Sequence, residues 1–165
     1  MWKYGLVAAS VAGIIIGTPA PASAQIIGDV AACDAGKPSI LIRVHGFKDR
    51  SGEIRVSLYG DDPEDWLEGD TKLKKLRLPV PASGPVDICV SVPRPGTYAF
   101  GVTHDVEGDG SIGRKDGGAF SNNPGFTIFD REPAYRKAAF EVGNGTKRMG
   151  IRLMYLKGLS IRPWN

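Results

Sequence analysis

Residues 104–116 read HDVEGDGSIGRKD, and the spacing of their oxygen-bearing side chains suggests metal chemistry. With Asp105 as position one, Glu107 falls at three, Asp109 at five, Gly110 at six, Ser111 at seven and Asp116 at twelve. This is the order of an EF-hand-type loop. Alternate acidic side chains converge as such a chain curls, and glycine at six permits the sharp turn. Calcium is the ion that suits the pattern, because it takes six to eight oxygens at about 2.3–2.6 Å. The candidate ligands are Asp105, Glu107, Asp109, Ser111 and Asp116, and Ile112 at position eight is expected to tether the loop to the core. Some features depart from the pattern. Glu107 is longer than the usual Asp or Asn, Asp116 replaces the usual bidentate Glu, and Arg114 and Lys115 dilute the negative charge. The competing reading is a solvated acidic turn that binds nothing specific.

Other chemistry is sparser. The chain has two histidines, His45 and His104. His104 and a loop carboxylate would be the acid–base pair of an envelope enzyme acting on glycan or lipid, the alternative to a binding role. Adjacent residues of a strand point to opposite faces, however, which separates His104 from Asp105. There is no Gly-x-Ser-x-Gly elbow and no paired-histidine zinc motif. With no complete catalytic constellation, the expectation is a non-enzymatic protein that binds an envelope protein or ligand. Lys72, Lys74, Lys75 and Arg77 form a basic run that could meet anionic lipid or glycan but is most simply a solvated strand edge.

These residues sit in a chain that begins as an exported protein would. Lys3 precedes an uncharged, apolar stretch over residues 5–17, and Ala22-Ser23-Ala24 supplies the small-x-small pattern cleaved by signal peptidase. The stretch is short for a membrane span of about 20 residues. Residues 1–24 are therefore expected to be a signal peptide cleaved near Ala24, giving a periplasmic or secreted protein with no transmembrane span. The formal charge of +3 falls to +2 when Lys3 is removed, which gives no case for nucleic-acid binding. In an oxidising compartment Cys33 and Cys89 are most simply a disulfide. Val30-Ala31-Ala32-Cys33 also looks somewhat like a lipoprotein processing box, but Pro19, Pro21 and Asp29 separate it from the apolar core of the leader.

Period-two alternation carries the rest. Ile40–Val44, Ile54–Leu58, Leu76–Val80, Val86–Val92, Tyr98–Val102, Ala138–Val142 and Met149–Tyr155 each place apolar residues on one face. Turn residues separate them, as in Asp49-Arg50-Ser51-Gly52 and Pro93-Arg94-Pro95-Gly96. About seven one-faced strands predict an all-β fold, a single antiparallel β-sandwich over residues 39–156. A leader at 25–38 precedes it and a tail at 157–165 follows. Asp62 and Pro63 predict one helical turn within DDPEDWLEGD. Cys89 lies on the polar phase of its strand, so a disulfide would pin the leader to a sheet's outer face or edge. The longest break in the alternation, from about Asp105 to Arg136, carries Phe120, Phe126, Phe129 and Tyr135 and is expected to fold back on the sandwich.

Taken in order, ILIRVHGFKDRSGEIRVSLYG, PRPGTYAFGVTHDVEGDG, AFSNNPG, AAFEVGNGT and IRLMYL resemble a bacterial domain-of-unknown-function family of small exported proteins. Members carry a His-Asp-x-Asn-x-Asn-Gly-like segment followed by Phe-Ser-Asn-Asn. His104, Asp105, Glu107, Asp109, Gly110, Phe120, Ser121, Asn122 and Asn123 occupy those positions. The resemblance implies an immunoglobulin-like or transthyretin-like sandwich and no established activity. It makes His104, Gly110, Ser121, Asn122 and Asn123 candidates for organising the loop, either around calcium or as a purely structural hydrogen-bond knot.

Overall fold

Alternation places Ile40, Ile42 and Val44 on the same side as Val86, Ile88 and Val90, and these face Ile54, Val56, Leu58, Phe100 and Val102 across a dry core. Each such side chain contributes about 1.5–3 kcal/mol when fully buried. The computed structural model describes residues 25–164, and the expected signal peptide at 1–24 lies outside the described residues. Two sheets form the sandwich. The smaller is ordered β1 (Ile26–Gly28), β5 (Val86–Ser91), β2 (Ser39–His45), β9 (Thr146–Arg152). The larger is ordered β11 (Ser160–Pro163), β10 (Met154–Lys157), β7 (Gly117–Phe120), β6 (Gly96–Asp105), β3 (Glu53–Tyr59), β4 (Lys74–Pro79), with β8 (Phe140–Val142) also on β6. Among the described residues no helix is long and apolar enough to cross a membrane.

All seven expected strands form, though the one read from Ala138 starts at Phe140 because Ala138 ends a helical turn, and two further refinements appear. Most pairs are antiparallel, but β1–β5 and β2–β9 run parallel. The second is allowed because β9 reaches β2 only after the chain has crossed the sandwich. The run Met149–Tyr155, read as one strand, is two: β9 ends at Arg152 in the small sheet and β10 starts at Met154 in the large one. Leu153, fully buried, is the crossing point, and its N–H donates to the carbonyl of His45 at 2.9 Å.

The segments read as leader and tail also carry elements. The leader holds β1 and a short helix, α1 (Val30–Asp34), and the tail holds β11. Cys33 of α1 and Cys89 of β5 form a disulfide, with a Cα–Cα distance of 6.2 Å, so α1 covers Leu41 on the outer face of the small sheet. Asp62 caps the turn Pro63–Asp65 by accepting the Glu64 N–H. The irregular stretch after Asp105 contains β7 and a second helical turn, α2 (Tyr135–Ala138). Its aromatics do fold back: Trp66 packs edge-on against Tyr59, Phe120 and Tyr135, and Phe126 against Phe120. Phe129 is the exception, fully exposed at 93%.

Candidate functional site

Arg55 stands on the outward phase of β3, between the core residues Ile54 and Val56, yet it is only 8% exposed. The loop between β6 and β7 folds over it. Its two terminal nitrogens donate to the carbonyls of Gly110 and Ser111, and its Nε lies 3.5 Å from Asp105 Oδ2. In a calcium loop the position-seven carbonyl faces the ion; here that carbonyl, on Ser111, faces a guanidinium. Nothing near the loop hints at this cation, because Arg55 lies fifty residues before Asp105 and reads as an ordinary outward-facing strand residue.

The proposed ligands do not share a focus. Asp105, fully buried, accepts the N–H groups of Gly108 and Gly110, each at 2.8 Å, on separate oxygens. Asp116 accepts the N–H of Val106 at 2.9 Å and of Gly113 at 2.6 Å. Asp109 accepts the Ser111 N–H at 2.8 Å, and Glu107 pairs with Lys115 at 2.9 Å in solvent. Ser111 enters through its backbone alone. Among the described residues no group of three or more His, Cys, Asp or Glu side chains is arranged to hold a metal. Asp116 instead ties the start of the loop to its last turn through the amides of Val106 and Gly113. Gly110 takes the left-handed conformation expected of position six, with φ +82°. Ile112 does not tether the loop: it is 78% exposed, because Arg55 and Asp105 already anchor the loop from beneath.

Burial works against ionisation of Asp105, but the amides of Gly110 and Gly108 and the Arg55 charge outweigh it and hold the carboxyl below its usual range. Arg55 thus balances the buried Asp105 charge from beneath the loop.

His104 points into the core and is fully buried. Its Nε2 lies 2.9 Å from the Ser51 carbonyl, which only accepts, so Nε2 carries the proton. Nδ1 then accepts from the Tyr155 hydroxyl at 2.7 Å, and that oxygen accepts the Lys48 N–H at 3.2 Å. Burial pushes the Tyr155 hydroxyl up to about 12. Both ring nitrogens are therefore engaged in tying the β2–β3 turn to β6 and β10. His104 and Asp105, adjacent in sequence, face opposite sides of the sheet, as strand geometry requires.

Ser121, Asn122 and Asn123 form a knot. Strand β6 pairs with β8 at residues 96–98 and with β7 at 101–104, leaving a gap at Phe100. Ser121 fills it: its N–H donates to the Phe100 carbonyl at 2.9 Å, and its hydroxyl accepts the Phe100 N–H at 3.0 Å while donating to Ala138 at 2.6 Å. Asn122 and Asn123 adopt left-handed φ values of 64° and 52°. Asn122 donates to the Ala139 carbonyl at 2.8 Å. Asn123 reaches the open edge of β9, donating to Gly150 and accepting the Arg152 N–H, both at 2.9 Å. Its amide pairs with that edge as a strand backbone would.

The basic run on and before β4 is dispersed. Lys74 turns inward to Asp29 at 2.6 Å, Arg77 pairs with Glu53 at 3.1 Å, and Lys72 donates to the Gly69 carbonyl at 2.8 Å. A different set of cations gathers instead. Parallel pairing of β2 with β9 sets His45 beside Arg152 and Arg43 beside Gly150, with Arg148 one row away. Their places on the polar phases of β2 and β9 were legible; their adjacency was not.

These features define a small two-sheet sandwich whose acidic loop is closed around an internal arginine. Residues 42–150 match the DUF2141 family, described as an uncharacterized protein conserved in bacteria, and the chain belongs to that family. No curated protein and no solved structure matches it.

Proposed function

We propose that the mature chain is an exported, non-enzymatic binding module of the bacterial envelope, with the 105–116 loop as a rigid structural element. The observation that carries this reading is the engagement of every candidate catalytic or ligating side chain by the protein itself. Arg55 takes the loop carbonyls, the amides of the loop take Asp105 and Asp116, and Tyr155 and Ser51 take both nitrogens of His104. A general base must reach the proton it abstracts, and His104, fully buried, lines neither the depression at His45 and Arg152 nor the one at Asp62 and Tyr98. Calcium would have to displace a buried guanidinium, so the reading gives it no role. Export is supported by the leader at 1–24 and by the Cys33–Cys89 disulfide, a bond that persists in oxidising compartments.

The test is photocrosslinking in growing cells from exposed positions on each sheet, followed by fractionation. A processed protein in the periplasmic fraction, with discrete adducts from one face, is the expected result. A cytosolic, uncleaved protein would sink the export claim. Absence of adducts from every position would sink the binding claim.

A further inference from the structure

The outer face of the small sheet carries a cluster of arginines that the loop does not use. Arg43 of β2 and Arg148 and Arg152 of β9 are all exposed, as is the neighbouring His45. They surround Gly150, above which a side chain would meet only open space. A shallow depression there is lined by His45, Gly46, Asn123, Gly150, Ile151 and Arg152. The carboxylate beside Arg43 is Asp87, 4% exposed, whose oxygens accept Arg43 Nε at 2.7 Å and Nη2 at 2.6 Å. Asp87 therefore fixes the orientation of Arg43 and leaves that guanidinium's other donors outward. Arg148 and Arg152 form no ion pair among the described residues.

We propose that this face binds a soluble linear polyanion, a chain bearing repeated phosphate or carboxylate groups, across Arg43, Arg148 and Arg152. Three properties select that occupant. The cations on the face are arginines, and the guanidinium fork matches an oxyanion in direct contact rather than at a distance. Arg148 and Arg152 are four residues apart on one strand, so their backbones stand about 13 Å apart. One small anion cannot span that distance, whereas a chain of them can. The exposed large hydrophobics of the described residues, Leu73, Ile112, Phe129 and Leu159, all lie outside β1, β5, β2 and β9. The face therefore offers no apolar wedge to a bilayer.

The inference rests on the binding-module reading and names its partner class. Calorimetric titration of the mature protein with inorganic polyphosphate at low salt is the test. Orthophosphate and vesicles of equal parts phosphatidylcholine and phosphatidylglycerol are the parallel arms. Polyphosphate should bind with salt-dependent affinity and orthophosphate should not. The pair Arg148→Gln/Arg152→Gln should weaken binding at least about tenfold. Lys75→Gln/Lys137→Gln removes the same charge from elsewhere and should leave binding unchanged. Equal weakening by both pairs would reduce the effect to net charge and overturn the site. Binding to vesicles but not to polyphosphate would make the occupant a membrane and overturn the proposal. No binding in any arm would overturn it as well, while leaving the crosslinking test of the wider reading intact.

Discussion

The Arg55 guanidinium lies 3.5 Å from the Asp105 carboxylate, with side-chain exposures of 9% and 0%. Removing one partner of a buried pair strands the other charge, at a cost of about 3–5 kcal/mol. Arg55→Met should lose stability on that scale in urea denaturation. Arg55→Met combined with Asp105→Asn should lose clearly less than the sum of the two single variants. Additive losses would show that the two groups do not act as a pair.

Calcium provides a second check on the same loop. A ligand that binds only the folded state raises stability by mass action. The thermal midpoint of residues 25–165 should be the same with millimolar calcium as with chelator. A calcium-dependent rise would mean that Arg55 yields its place to the ion.

The depressed Asp105 carboxyl sets an acid limit on stability. Its folded pKa lies below the unfolded value, so its contribution is complete above about pH 4 and is lost as pH falls through the lower folded value. Asp29 and Asp87 are depressed in the same direction. Asp105→Asn should therefore be less stable at neutral pH, and its urea midpoint should fall less steeply than that of the parent below the carboxylate range. Parallel acid limbs in the two proteins would contradict this.

Tyr155 sets the alkaline limit. Its folded pKa of about 12 lies above the unfolded value of about 10. The folded state holds the proton longer, so this contribution is complete below about pH 10 and is lost as pH rises toward 12. Burial also raises Tyr59 and Tyr135, so ultraviolet titration should find several late phenolates, with the one near 12 absent in Tyr155→Phe. That variant also leaves His104 Nδ1 buried without its donor, a cost of about 1–3 kcal/mol.

Asn123 combines two roles that substitution can separate. Asn123→Gly keeps the left-handed backbone and loses the bonds to Gly150 and Arg152; Asn123→Ala loses both. Alanine should be the less stable by about 1–2 kcal/mol, the left-handed penalty. Both variants bare the β9 edge and should self-associate more than the parent in sedimentation. Monomeric behaviour of both would show that Asn123 does not guard that edge.

Much of this architecture was legible in the sequence, for definite reasons. The one-faced strands of the core announce themselves because alternation is local, as in Ile40, Ile42 and Val44. Cys89 on the polar phase of β5 correctly placed the disulfide on an outer face. The capped turn at Asp62 was legible because its signal spans three residues. The loop was legible as an organised element but not in its chemistry. The same acidic spacing that could surround an ion can accept backbone amides, and the cation that decides between them comes from β3. The break at Leu153 was hidden because apolar alternation continues unbroken from Met149 to Tyr155 while the chain changes sheets. β7 was missed because Gly117 and Gly118 carry no side chains to alternate.

The pairing of Ser39 with Thr146, whose hydroxyls meet at 2.9 Å across 107 residues of chain, has a consequence for folding. The small sheet cannot gain its last strand until nearly the whole polypeptide is present. Contacts this distant in sequence form slowly, because the loop must close before they reward it. Until then β2 presents an open edge, and the large sheet still lacks β10 and β11. During synthesis that interval exposes the chain to mispairing, which makes a holdase most useful before Thr146 emerges.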